Sequence, residues 1–206
     1  MRIQQAPAKS RTERKKEENK KRIILTAMEL FKRQGFDQTT MEQIAGQADV
    51  CKGTLYNYFP VKEAILEEHV KEKFQNEHEE RIRKLKKMPD TPTRLVWVLQ
   101  EIVKGILEQN EIFEKHFIYR VKKISSLKRE EKNFDGFRLL VAEIIGMGQE
   151  TGEIRREVPL NLLVGLIEHA FIQIVQKYYR DPESFDLDET VRVCTDLCIN
   201  GMRSTR

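Results

Sequence analysis

Between residues 51 and 62 the chain reads CKGTLYNYFPVK. On a helix of about two turns, Lys52, Thr54, Tyr56 and Asn57 fall on the outward side. A cation, a hydroxyl, a phenol and an amide are the groups with which proteins meet duplex DNA. Cations and hydroxyls suit phosphates, whereas amides and cations suit base edges. Thr39, Thr40 and Lys62 flank this unit, near where backbone phosphates would pass. Gly53 lowers helix propensity by about 1 kcal/mol relative to Ala, a cost that close approach to something bulky would justify. An ordinary helical corner with a polar outer face would read the same way at this level.

Other chemistry finds little support. The four histidines (His69, His78, His116, His169) stand alone. Cys51, Cys194 and Cys198 are too few and wrongly spaced for a disulfide framework, which points to a reducing cytoplasm. Cys194 and Cys198 lie one turn apart without a local His, so they read as small apolar fillers and not as metal ligands. There is no glycine-rich phosphate loop and no nucleophile motif, so the reading is no enzyme, no metal and no cofactor. The N-terminus is polar and shows no signal peptide. The most apolar stretch, 162–175, is broken by Glu168, His169 and Gln173 and is too short to span a bilayer.

Charge is uneven. Residues 1–22 hold nine Lys/Arg and three Glu, while the chain total is +4, so the remaining 184 residues are net −2. A basic arm on a nearly neutral body suits a polyanion, either nucleic acid or a membrane surface, or serves as a solvated tail.

The elements that must position these residues are helical. Apolar periodicity and caps predict helices at about 11–34, 41–48, 52–58, 60–87, 92–109, 112–127, 133–151, 158–180 and 186–203, with no strand. SRTE at 10–13 and Thr40 with Gln43 have the form of capping boxes, and Asp186 with Glu189 forms a further N-cap pair. Pro60, Pro92 and Pro159 suit first turns, with Thr91 as the N-cap before Pro92. Asp49 falls in the corner between the second and third helices, where Asp tolerates unusual backbone angles. Ile44, Ala45, Ala48, Val50, Leu55 and Tyr58 fall where those two helices touch. The expected organisation is a basic, flexible arm (1–19), a helix-turn-helix head (20–66) and a larger helical body (67–206).

The run ILTAMELFKRQGFDQTTMEQIAGQADVCKGTLYNYFPVKEAIL, 24–66, resembles the DNA-binding region of the TetR family of bacterial transcriptional regulators. The matching elements are LF…G…TTM, IA…A, and KGTLYNYF followed by KE. The resemblance implies an all-α homodimer of nine or ten helices. The head would bind an operator, and the body would bind a small effector and dimerise through its last two long helices. It also implies operator contacts at Thr40, Lys52, Gly53, Thr54, Tyr56, Asn57, Tyr58 and Lys62, with Leu55 and Phe59 in the core. Cys51 departs from the pattern, which usually has Ser as the helix cap. A thiol there, beside Lys52, is biased toward thiolate, and is either a tolerated substitution or a redox control on DNA binding.

The body is less explicit. Trp97, Phe113, Phe117, Phe137 and Met147, with Glu101, His116 and Tyr119 as polar groups, are candidates for an effector site or plain core. The effector is expected to be small and hydrophobic. Leu163, Ile167, Ala170, Phe171 and Ile174, with Val191, Cys194 and Cys198, form stripes that are either intrachain core or a four-helix dimer interface; the resemblance favours the interface. The resulting expectation is a cytoplasmic, ligand-responsive repressor that binds a palindromic operator as a homodimer. An activator, or a DNA-binding protein whose body takes a protein partner, remains compatible with the residues.

Overall fold

The computed structural model describes residues 10–108, 110–124 and 136–202. Among these, the chain forms nine helices and no strand: α1 (Arg11–Gln34), α2 (Met41–Gln47), α3 (Lys52–Tyr58), α4 (Lys62–Leu85), α5 (Thr91–Glu108), α6 (Asn110–Ile124), α7 (Gly136–Thr151), α8 (Leu160–Arg180) and α9 (Leu187–Met202). Residues 1–9 of the expected arm lie outside the described residues.

Local sequence sets most helix ends. Ser10 and Glu13 close a capping box at the start of α1, as their spacing suggested, and residues 11–19 of the expected arm are helical. Reciprocal bonding satisfies two of the orphan N–H groups there. Thr40 and Gln43 do the same for α2. Gly35 ends α1 at φ 86°, a left-handed angle that only Gly adopts without strain. Asp49, at φ 50°, makes the corner between α2 and α3. Asp186 Oδ1 accepts the Glu189 N–H at 2.8 Å before α9. Two expectations shift by a residue or two. Asp90, and not Thr91, caps α5, accepting the Thr93 N–H at 2.8 Å, while the Thr91 N–H goes to Glu153 Oε2 at 2.7 Å. Pro60 and Pro159 precede their helices and do not sit inside the first turn.

The chain divides into two compact units. The first comprises residues up to Val70 together with Glu114–Tyr119 of α6. Its core is Ile23, Ile24, Ala27, Leu30 and Phe31 of α1 against Phe36, Ile44, Ala45, Leu55, Phe59, Ile65 and Leu66, all buried. Each of the larger side chains contributes about 1.5–3 kcal/mol of transfer free energy. Ala45 and Ala48 are small enough to let α2 and α3 close on each other, as their spacing suggested.

The second unit comprises Lys71–Phe113 and Arg120 onward. Within it α5 packs on α7 and α9, α7 on α8, and α8 on α9. A Cβ on Gly148 would come within 2.5 Å of Thr91 Oγ1 and 2.7 Å of Ile154 Cγ1, so the approach of α7 to these residues requires Gly. Arg94 is buried and closes the C-terminal end of α4 by donating to the Leu85 and Met88 carbonyls at 3.1 and 2.9 Å. No described helix is long and apolar enough to cross a membrane.

Candidate nucleic-acid interface and helical body

The corner α2–α3 is held by its buried inner face. Leu55 and Phe59 pin α3 to the core, as expected. That anchoring turns the remaining residues outward: Lys52, Gly53, Tyr56 and Asn57 are exposed and Thr54 is half-buried. Open space surrounds the position a Gly53 Cβ would occupy, so nothing within the chain requires Gly there. Lys52 pairs loosely with Glu42 at 3.5 Å, both exposed, which leaves the ammonium available to another anion.

Two of the flanking residues, Lys62 and Thr39, and Tyr58 of α3 make contacts within the chain. Lys62 donates to the carbonyls of Phe36, Asp37 and Thr39 at 2.7, 3.2 and 3.1 Å and lies over the Phe36 ring at 4.5 Å. An ammonium has three N–H donors, and all three are engaged inside the first unit. Within the chain the residue is therefore a clamp on the α1–α2 loop. Thr39 is 1% exposed and donates to the Gly35 carbonyl at 2.8 Å, so it too is structural. Tyr58 gives its phenol proton to the Lys16 carbonyl at 3.1 Å, tying α3 to α1. Thr40 stays exposed at the N-terminus of α2, where backbone N–H groups and the helix dipole favour an anion.

Cys51 is the N-cap of α3, and its side chain makes no cap bond to the backbone. Its Sγ instead pairs with Thr54 Oγ1 at 2.9 Å. That side-chain hydrogen bond is the largest cause that lowers the thiol pKa from its ordinary value. The direction agrees with the bias toward thiolate expected from the sequence, but the cause is Thr54 and not Lys52.

The basic stretch expected to suit a polyanion lies largely on α1. Arg11, Arg14, Lys15, Lys21 and Arg22 are exposed on its first three turns. Arg22 reaches the Asp49 carbonyl at 3.4 Å, and Tyr58 holds Lys16. The cations thus ride on a helix fixed beside the α2–α3 corner.

The expected effector residues divide between the units. His116, Phe117 and Tyr119 belong to the first, where Lys115 donates to Asp37 Oδ2 at 2.7 Å. Trp97, Glu101, Phe113, Phe137 and Met147 belong to the second. Phe137 stacks on Phe171 with ring centroids 4.6 Å apart. Glu101 accepts from Arg81 Nε at 3.2 Å. Glu168, noted in the sequence only as an interruption, is 2% exposed, bonded by Arg138 and 3.8 Å from Arg120. A separate groove of about 300 Å³ is lined by Pro92, Val96, Arg192, Thr195, Asp196 and Ile199, none of them an expected effector residue.

Most of the residues expected at a dimer interface are covered within the chain itself. Leu163, Ile167, Ile174 and Val191 are buried within the chain, and Phe171 packs on Phe137, so these residues face the intrachain core. Ala170, Cys194 and Cys198 are not fully covered by the chain itself; the two thiols are half-buried. The most exposed large apolar residues on α8 and α9 are Leu162, Leu166, Val193 and Leu197, which are 65%, 44%, 51% and 70% exposed. Their spacing of four sets one apolar stripe on each helix.

Comparison with known proteins gives a consistent result. Residues 23–69 match the family model described as bacterial regulatory proteins, tetR family. The HTH-type transcriptional regulator YuxN of Bacillus subtilis is 45% identical over 49 residues, which span 24% of this chain and 17% of that protein. The fatty acid metabolism regulator protein of Bacillus subtilis is 25% identical over 190 residues, 88% of this chain and 94% of that protein. The crystal structure of Thermus thermophilus FadR, a TetR-family transcriptional repressor in complex with lauroyl-CoA, matches with a TM-score of 0.75 and 26% identity. That match covers 91% of this chain and 96% of the other. All three are regulators by name, two of them of transcription.

Proposed function

The chain belongs to the TetR family of bacterial regulatory proteins, and we propose that it is a cytoplasmic homodimeric repressor whose effector is a long-chain acyl thioester. The observation that carries the DNA half of this reading is the outward face of α3. Lys52, Gly53, Thr54, Tyr56 and Asn57 are presented there by a helix whose inner face is fully engaged. Thr40 offers a helix N-terminus to a phosphate, and the cations of α1 add sequence-independent affinity. Two copies joined through Leu162, Leu166, Val193 and Leu197 would present two such helices. A dimer of this kind reads half-sites about 34–36 Å apart on a roughly palindromic operator.

The effector half rests on likeness along nearly the whole chain to a regulator named for fatty acid metabolism and to a repressor holding lauroyl-CoA. The aliphatic and aromatic interior of the second unit is compatible with an acyl chain. Such an effector releases DNA only if it prefers the state that cannot bind the operator. The test is release of a fluorescent operator by lauroyl-CoA, with CoA alone as the control. Release by the thioester and not by CoA is the expected result. An operator complex indifferent to lauroyl-CoA would overturn the effector assignment.

A further inference from the structure

The second unit contains an ion pair that is one bond short. Arg81 of α4 is 9% exposed, and its guanidinium stacks 4.8 Å from the centroid of the Phe74 ring. Its Nε donates to Glu101 Oε1 of α5 at 3.2 Å, and its Nη2 pairs with Glu77 at 2.5 Å. Arg–carboxylate pairs are commonly bidentate. Here Glu77 takes the edge that would complete the pair. Arg81 Nη1 and Glu101 Oε2 are left buried with no hydrogen-bond partner among the described residues. A buried donor and a buried acceptor, each unsatisfied, are costly and call for an explanation.

We propose that Arg81 and Glu101 are the polar anchor of the effector site, and that they take a neutral group carrying both a donor and an acceptor, of the secondary-amide type. The amide carbonyl would accept from Nη1, and its N–H would donate to Oε2. An anionic head group fits poorly. It would satisfy Nη1 but face Glu101 Oε2, and Arg81 is already outnumbered by Glu77 and Glu101. The nearby Lys84 is engaged by Glu80 at 3.0 Å. The proposal rests on the acyl-thioester reading and sharpens it: the pantetheine arm of such a thioester carries two secondary amides, whereas a free fatty acid carries none. Anchoring on Arg81 also places the contact on α4, whose first residues, Lys62–Val70, belong to the first unit.

The chain supplies its own reporter. Trp97, the sole tryptophan, lies one turn before Glu101 on α5, and Lys84 Nζ is 5.9 Å from its ring centroid. Full-length protein is titrated with lauroyl-pantetheine and with laurate, following Trp97 emission, for the wild type, Glu101→Gln and Arg81→Lys. Circular dichroism verifies folding of each variant. In Glu101→Gln the new amide would keep its one oxygen on Arg81 Nε and turn an NH₂ toward the ligand N–H, donor against donor. In Arg81→Lys the second fork of the guanidinium is lost. Each substitution is expected to weaken lauroyl-pantetheine about tenfold, roughly 1.4 kcal/mol, and to leave laurate unaffected. Wild-type affinity for lauroyl-pantetheine in both variants would overturn the anchor, as would equal losses for the two ligands. If lauroyl-CoA still releases the operator in that case, the repressor reading stands without the anchor. If the wild type neither binds lauroyl-pantetheine nor responds to lauroyl-CoA, both fall together.

Discussion

Lys62 reaches back 26 residues to hold the Phe36 carbonyl at 2.7 Å, and it gives its two remaining donors to Asp37 and Thr39. A cation in the first turn of α4 is disfavoured by the helix dipole, so its recruitment to three loop carbonyls needs that compensation. The clamp positions Thr40, and therefore α2, against α1.

Lys62 and Lys52 should separate cleanly by mutation. Lys62→Met leaves carbonyls unsatisfied and is expected to cost about 2–3 kcal/mol of stability. Lys52→Ala touches only the loose Glu42 pair and should leave stability unchanged while weakening operator binding. Urea denaturation and fluorescence anisotropy on both variants check this. Equal stability losses would contradict the division of roles.

Stability should carry an acid limb from Asp37. Lys115, first by its hydrogen bond and then by its charge, holds the Asp37 carboxyl below its ordinary pKa, and Lys62 adds to this. A group with a depressed folded pKa contributes stability above its unfolded value, about 3.9, and loses it as pH falls through the folded value. Asp37→Asn should thus be less stable than wild type at neutral pH, with the deficit closing below about pH 4. Urea melts across pH measure it. A deficit that stays constant into strong acid would mean that the ion pair is not its source.

The cations of α1 should set the salt dependence of DNA binding. Replacing Arg11, Arg14 and Lys15 by Gln removes up to three phosphate contacts. The slope of log K against log salt would then flatten by up to about 2.7. Affinity should fall alike for all DNA sequences, because phosphate contacts carry no sequence information. Anisotropy titrations at several salt concentrations, on operator and on random duplex, give the slopes. A loss confined to the operator would show that these residues read bases.

Dimerisation should depend on the open stripe and not on the buried one. Leu197→Glu places a charge on a residue that is 70% exposed in the single chain, so the fold should survive and the dimer should not. Ile167→Glu buries that charge in the core and should unfold the protein. Sedimentation velocity with circular dichroism distinguishes these outcomes. A folded Leu197→Glu protein that remains dimeric would exclude this face.

What the sequence disclosed follows the range of the interactions. The Ser10–Glu13 and Thr40–Gln43 boxes, the Asp49 corner and the core roles of Leu55 and Phe59 depend on residues a few positions apart, and all were legible. The Lys62 clamp spans 26 residues, and the Arg81–Glu101 pair spans 20. Neither is written in local spacing, so the intrachain role of Lys62 and the pairing of Arg81 were not legible. Which apolar stripe the chain itself covers was not legible for a different reason. α8 is apolar on more than one side, with Leu163 and Ile167 on one stripe and Leu162 and Leu166 on the next. Periodicity then shows that stripes exist but not which of them the chain keeps for itself.

The central claim is that two copies of α3 read a two-fold-symmetric operator. Its most direct test is selection of bound sequences from a random DNA pool with the purified full-length protein, followed by sequencing. The account predicts an inverted-repeat consensus with half-site centres about 10 base pairs, or one helical turn, apart. It also predicts that the consensus is lost with Lys52→Ala and retained, at lower affinity, when the α1 cations are neutralised. A folded protein that enriches no sequence, or only an asymmetric single site, would contradict it.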